Sequence, residues 1–364
     1  MKKRLNELLN YEQPTKYIVK TENYSDEYVT PVLTAGKSFI LGHTNETEGI
    51  FKGSKEPVII FDDFTRDTKY VDFDFKVKSS AMKILHKYSK DDSLKYFHYA
   101  INSIKYTPFS HKRLWISDFS KLEIEYPTPE MQHKIANNLD TIQSAIDNKK
   151  QQLSLLDEAV KSEFVEMFGD PILNEKGWDL KTLPELGEFG RGVSKHRPRN
   201  APELLGGKYP LIQTGDIANA NLYITNFNST YSEEGYKQSK IWKAGTLCIT
   251  IAATIAKTAI LTFDSCFPDS VVGFTPNKKT NSLFINYWFS FFQKILEEQA
   301  PGVAQKNINL KFLSELKIFT PPFELQERFA TFVQQIDTLK SLIKEQLVDL
   351  QELLDSKMNE YFGE

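Results

Sequence analysis

Cysteine is nearly missing from this chain. Cys248 and Cys266 are the only two among 364 residues, and nothing around them has a metal-like pairing. A disulfide framework is therefore not expected, and a reducing cytoplasm is the expected compartment. Long apolar runs are missing too. The first ten residues, MKKRLNELLN, have no apolar core of the kind a signal peptide needs. The most apolar long stretch, LCITIAATIAKTAIL, carries three threonines and Lys257. It is too short and too polar to span a bilayer and reads as buried sheet, so no membrane partner is expected. Neither charge sign dominates, because the formal net charge is −3.

Signatures of catalysis are also missing. TAGKS at Thr34 is like a phosphate loop, but that loop needs glycine five residues before Gly36, and Pro31 stands there. GEFGRG at Gly187 has the wrong spacing for a dinucleotide turn, and TPPFEL at Thr320 lacks the Asn/Asp of an amino-methyltransferase tetrad. The histidines at 43, 86, 98, 111, 133 and 196 show no metal-ligand spacing. FDDF at Phe61 and PDS at Pro268 bear carboxylates without the Glu-x-Lys of a nuclease centre, and both read as turn acids. No catalytic residue, metal or cofactor is expected.

What is present is a duplication. Ile124–Asp170 and Ile318–Glu364 align without a gap over 47 residues at an offset of 194, with 15 identities. Among them are Pro127/Pro321, Glu130/Glu324, Gln132/Gln326, Phe168/Phe362 and Gly169/Gly363. Each copy predicts one long helix. Thr128 is a plausible N-cap before Pro129, the glutamates sit near the positive end of the helix dipole, and the glycines mark the stop. The apolar residues form a heptad seam: Ile135, Leu139, Ile142, Ile146, Leu153, Leu156 and Val160 in one copy, Phe329, Val333, Ile336, Ile343, Leu347, Leu350 and Leu354 in the other. Each seam is broken once by lysine, Lys149 or Lys340. The expected arrangement is two long helices paired as an antiparallel coiled coil; two amphipathic helices packed on separate cores is the plainer alternative.

Between the helices lie two globules, 1–123 and 171–317, that are themselves distantly related. KRLNEL from Lys3 resembles KTLPEL from Lys181, and PVLTAG from Pro31 resembles PLIQTG from Pro210. Both globules read as mixed α/β, with β-rich runs such as PVIIF, KYVDFDFKV, GTLCITIAATI, TAILTF and SVVGF and apolar helices at LKYFHYAINSI and FINYWFSFFQKIL. The fold class is thus α+β, two mixed modules separated by two long helices. The charge is partitioned. Each 47-residue repeat has nine acidic and four basic residues, −5 apiece, which leaves +7 on the other 270 residues. Residues 76–113 hold nine Lys/Arg against two Asp, and residues 191–208 hold five against one Glu. Such concentrated basic stretches are what phosphate binding requires; a solvated lysine-rich face is the alternative for the first.

With these residues assembled, the chain resembles the specificity subunit of a type I restriction-modification system. The resemblance spans nearly the whole sequence and rests on the two P-x-x-E-x-Q helices ending in F-G, on YPLIQTGDI from Tyr209, YSEEG from Tyr231 and GVAQKNINLKFLSELKI from Gly302. It implies two target-recognition domains (1–123 and 171–317) and two spacer helices (124–170 and 318–364). It implies a non-catalytic, DNA-binding role in which each domain reads half of a bipartite double-stranded DNA target. It implies that the helices set the gap and dock two methyltransferase subunits, which bring in restriction/translocase subunits, and that the methylated base is adenine at N6. The first globule lacks counterparts of YSEEG and GVAQKN.

Arg191, Lys195, His196, Arg197 and Arg199 are the sharpest DNA-binding expectation, because arginines in a Gly/Pro loop can reach base edges as well as phosphates. Gln213, Thr214 and Asp216 in the IQTGD turn are expected base readers, with turn chemistry around a positive-φ Gly215 as the alternative. Lys37 and Ser38 occupy the corresponding turn of the first globule. Lys306 and its counterpart Lys112 are expected phosphate contacts, with Asn307 and Arg113 beside them in the DNA-binding set. The competing reading is a bivalent protein-binding adaptor on a coiled-coil strut, which would lack salt-dependent duplex binding.

Overall fold

The computed structural model describes residues 1–35, 38–105, 114–251, 256–299 and 310–363. The chain divides into two compact units, Met1–Gln151 with Lys344–Glu364, and Gln152–Ile343. The division falls inside both long helices, which span Pro129–Phe168 and Phe323–Phe362. Among the described residues no helix is long and apolar enough to cross a membrane.

The first unit contains two four-stranded sheets. One runs, in order, Leu9–Glu12, Met82–Lys87, Val58–Asp62 and Thr68–Val71, all antiparallel. Val58–Asp62, the PVIIF run, is buried at every position, as a central strand covered on both faces must be. The other sheet runs Ile40–Thr44, Thr30–Leu33, Asp74–Val77 and Phe51–Lys52, with a parallel pair joining Thr30–Leu33 to Asp74–Val77. The helix Leu94–Ser103 packs its Leu94, Tyr96, Phe97, Ala100 and Ile101 into the core.

The second unit repeats this plan. Gly187–Arg191, Val271–Pro276, Leu247–Thr250 and Thr258–Leu261 follow the same order as the first sheet, with Tyr223–Ile224 added at the edge. Ser229–Tyr231, Leu205–Leu211, Ser265–Cys266 and Ile241–Trp242 follow the order of the second, again with one parallel pair, Leu211 opposite Cys266. The weak sequence matches prove to be positional. Lys3 pairs with Ile124 and Lys181 with Ile318, each just before a buried-leucine turn of helix whose third residue, Glu7 or Glu185, accepts from the backbone N–H of Arg4 at 3.2 Å or Thr182 at 2.7 Å. The aromatic helix Ser282–Gln299 is core, with Phe284 and Phe289 fully buried. Both thiols are buried and free, and burial pushes the Cys248 thiol far up, which leaves it unreactive.

Each unit receives the beginning of one long helix and the end of the other. In the first, Ile135, Ala136 and Leu139 share a cluster with Leu354, Met358, Tyr361 and Phe362. In the second, the Phe164 ring lies 5.0 Å from Phe168, 5.6 Å from Phe284, 5.2 Å from Phe291 and 5.4 Å from Phe329. The pairing within each unit is therefore antiparallel. The seam is buried where it meets a globule, whereas Leu153, Leu156, Ile343, Leu347 and Leu350 are half-buried, since a lone helix partner covers one side. Lys340, a break in the seam, ion-pairs with Asp157.

The repeated glutamines explain the P-x-x-E-x-Q signature. Gln132 is fully buried; its Oε1 accepts from Ser93 N at 3.0 Å, and its Nε2 donates to Pro127 O at 3.1 Å and Asp92 Oδ1 at 3.2 Å. Ser93 is the N-cap of the helix Leu94–Ser103. Gln326 does the same in the second unit, accepting from Thr280 Oγ1 at 2.8 Å and Asn281 N at 3.3 Å and donating to Pro321 O at 2.9 Å and Lys279 O at 3.1 Å. One amide thus satisfies groups at the entrances of two helices at once.

One half-buried titratable group sets a pH limit. His98 faces Thr68, with Nδ1 3.2 Å from Thr68 Oγ1. Burial, reinforced by the charge of Lys69 and opposed by Asp140, lowers its pKa from the ordinary 6.5 to about 4. The unfolded chain then binds a proton that the folded chain refuses. Stability is full above about pH 6.5 and falls as the pH drops toward about 4, by at most about 3 kcal/mol. Urea midpoints at pH 7, 5.5 and 4 should show this decline, and His98→Gln should flatten it. An unchanged acid limb in the variant would assign the loss to other groups.

Candidate nucleic-acid interface

The basic loop 192–199 leaves the end of strand Gly187–Arg191 in the second unit. Its path is fixed at three places. Gly192 lies so close to the turn after Ser265–Cys266 that a Cβ there would sit 2.1 Å from Phe267 O and 2.5 Å from Pro268 O. Gln238 Oε1 accepts from the backbone N–H groups of Lys195 at 2.5 Å and His196 at 2.9 Å, while Ser239 Oγ donates to Val193 O at 2.8 Å. Asp269 then takes two guanidinium groups, Arg199 Nη2 at 2.5 Å from Oδ1 and Arg197 Nη2 at 3.3 Å from Oδ2. Arg197 Nη1 also donates to Ser194 O at 2.6 Å and His196 O at 2.8 Å.

Arg191, Lys195, His196, Arg197 and Arg199 are all exposed; Arg191 ends the strand and the other four lie on the loop that follows it. His196 Nε2 lies 4.0 Å from Glu203 Oε1. Arg191 and Lys195 pair with no carboxylate among the described residues.

The IQTGD segment differs from the expected turn. Gly215 has no positive φ, and Thr214–Asn219 is a short helix capped by Gln213. Asp216 spends both carboxylate oxygens internally, on Gln213 N at 2.8 Å and Asn228 Nδ2 at 2.8 Å. Gln213 is exposed and donates through Nε2 to Ser229 Oγ at 3.3 Å, and Thr214 is half-buried. Ile212 N bonds to Cys266 O at 2.9 Å, so this segment and the basic loop border the same stretch of chain.

In the first unit the described part of the basic stretch, 76–105, is not one surface. Lys83 and Lys76 are buried against Asp63 at 2.6 Å and Glu46 at 3.0 Å. Lys78 pairs with Glu22 and Lys95 with Asp140, and Lys87 donates to two backbone carbonyls. A lysine stem crosses apolar surface while its head finds an acid, which composition alone does not reveal. Lys90 and Lys105 are exposed. Ser38 is exposed beside the hairpin joining Thr30–Leu33 to Ile40–Thr44. Lys37, Lys112, Arg113, Lys306 and Asn307 lie outside the described residues. The residues that sequence reasoning missed are Gly192, Gln238 and Asp269; their only sequence signal was the acid in PDS.

Comparison with known proteins bears on both units. The family model described as the type I restriction modification DNA specificity domain matches residues 1–158 and 175–352. The chain is 33% identical over 364 residues to the type I restriction enzyme EcoR124I/EcoR124II specificity subunit of Escherichia coli, covering 94% of this chain and 88% of that protein. It is 27% identical over 173 residues to the MjaIX specificity subunit of Methanocaldococcus jannaschii, covering 45% of this chain and 39% of that protein. Among solved structures, a type I restriction-modification S subunit from M. genitalium superposes with a TM-score of 0.63 at 17% identity, covering 100% of this chain and 96% of that one. A chain from a study of type I restriction-modification complex assembly and conformational transition gives 0.53 at 16%, covering 100% and 97%. These two likenesses concern the fold.

Proposed function

The chain belongs to the type I restriction-modification DNA specificity family, and from that premise we propose that its two globules, 1–123 and 171–317, each read one half of a bipartite target. As a specificity subunit it recognises DNA and leaves catalysis to other subunits. The observation that carries the bipartite reading is the repeated architecture: the same strand order, the same parallel pair and the same glutamine latch occur once in each unit. The loops differ, as two readers of different half-sites require. The two long helices, 124–170 and 318–364, fix the interval between the half-sites. Two methyltransferase subunits bind, one for each copy of the helical repeat, and restriction/translocase subunits join through them. In the second globule Arg191, Lys195, His196, Arg197 and Arg199 meet the duplex, with Gln213 nearby; Lys37, Ser38, Lys112, Arg113, Thr214, Asp216, Lys306 and Asn307 complete the proposed DNA-binding set.

The adenine methylome of cells with and without this gene tests the reading. The expected result is loss of one motif made of two short half-sites and a fixed gap. A methylome that stays the same when the gene is co-expressed with its neighbouring methyltransferase and then removed would defeat it.

A further inference from the structure

We propose that Asp269 is a specificity-positioning residue: its carboxylate gathers Arg197 and Arg199 into a preset cationic clamp that reads one half-site. This rests on the DNA-reading function proposed above for the second globule. Asp269 belongs to the FPDS turn between strands Ser265–Cys266 and Val271–Pro276, and Val271 N closes that turn on Pro268 O at 3.0 Å. The turn is rigid at both ends because both strands lie in sheets. The loop it faces is rigid as well, held by the close approach of Gly192 and by Gln238. Two guanidinium groups on a fixed loop therefore converge on one carboxylate on a fixed turn.

The donor count shows what the clamp leaves available. A guanidinium has five N–H groups. Arg197 uses two on Nη1 for Ser194 O and His196 O and one on Nη2 for Asp269. Its Nε–H and one Nη2 hydrogen remain for an incoming acceptor. Two arginines against one aspartate keep the site positive, and a side chain already held in place loses less rotamer freedom when it binds. Asp269 thus reduces attraction to DNA in general while fixing where two donors point.

The first unit has an ion pair at the same place in the fold with the polarity reversed. There the turn between Asp74–Val77 and Met82–Lys87 carries Lys78, which pairs with Glu22 from the segment that follows strand Leu9–Glu12. The shared element is a turn-to-loop ion pair. What differs is which partner is the more exposed: arginine in the second unit, glutamate in the first, where the pair is one to one and carries no net charge. That difference fits two modules with unlike half-site preferences.

The test uses the full chain in complex with its methyltransferase subunits. Duplexes carry the methylated target, the target with either half-site replaced, or both replaced, and binding is followed by anisotropy over a salt series. For Asp269→Asn the expected result is an equal or tighter grip on the fully replaced duplex. Discrimination should fall at least about tenfold for one half-site and stay as in wild type for the other. Asp269→Glu should restore part of it. Wild-type discrimination at both half-sites in Asp269→Asn would overturn the proposal. So would loss at both that Asp269→Glu does not repair, because the carboxylate would then be serving the fold. Absence of salt-dependent duplex binding by the wild-type complex would instead remove the DNA-reading premise, and this inference with it.

Discussion

Replacing Lys83 with methionine is expected to destabilise the first unit by about 3–5 kcal/mol. Lys83 and Asp63 have side chains 0% and 1% exposed, with Nζ 2.6 Å from Oδ2. Lys83 also donates to Gln13 Oε1 at 3.3 Å. The other carboxylate oxygen of Asp63 accepts from Trp115 N at 3.1 Å, and its carbonyl accepts from Leu114 N at 3.2 Å. Methionine fills the same space without a charge, so the variant isolates the cost of leaving a buried carboxylate unpaired. Adding Asp63→Asn should recover most of the loss, because the amide oxygen can still accept from Trp115 and needs no counter-charge. Leu114 follows directly on Lys112 and Arg113 in the chain, so weaker methylation of the target should accompany the loss. Urea unfolding of the single and double variants decides the matter. A single-variant cost below about 1 kcal/mol, or a double no more stable than the single, would refute the assignment.

The parts of this protein that were legible in its sequence are those written as periodic or repeated patterns. The 194-residue offset gave both long helices, and Thr128, Gly169 and the heptad apolar positions marked their course. Matches as short as KRLNEL with KTLPEL located equivalent strands, because each pairs with the short strand that leads into a long helix. Composition was a poorer guide. The lysines of 76–113 looked like one surface, but Lys76 and Lys83 are buried and Lys78 and Lys95 are paired with acids, since charge counting registers a head group but not the acid that receives it. Asp216, expected as a reader, also holds its own turn by accepting from Gln213 N and Asn228 Nδ2, which the local sequence did not announce. Gln238 and Asp269 sit 42 and 72 residues beyond the backbone and the side chain they respectively hold, and no local pattern spans that distance. The fold is encoded in short-range repetition, whereas the reading surface is set by contacts that only the folded chain brings together.

Gln326→Leu is expected to cost roughly 3–5 kcal/mol, and Gln132→Leu a similar amount. Both amides are fully buried, and each bonds backbone groups on two neighbouring segments. In the second unit leucine would orphan Asn281 N, Thr280 Oγ1, Lys279 O and Pro321 O. In the first it would orphan Ser93 N, Pro127 O and an oxygen of Asp92, although Tyr126 Oη still donates to Asp92 at 2.9 Å. The helix propensity of leucine equals or exceeds that of glutamine, so a loss of this size would come from the latch rather than from the helix. The glutamate variants separate the two sites further. Gln132→Glu sets a carboxylate against Asp92, whereas Gln326→Glu meets uncharged carbonyls and keeps the hydroxyl donor of Thr280. The first should therefore be the more damaging at pH 7, and the gap should narrow as the pH falls and one acid takes up a proton. Denaturation of all four variants at pH 7 and pH 5 reads this directly. Equal losses for the two glutamate variants at both pH values would show that Asp92 has no part in the latch, leaving the amide's contacts to the backbone as the reason one glutamine stands at the start of both long helices.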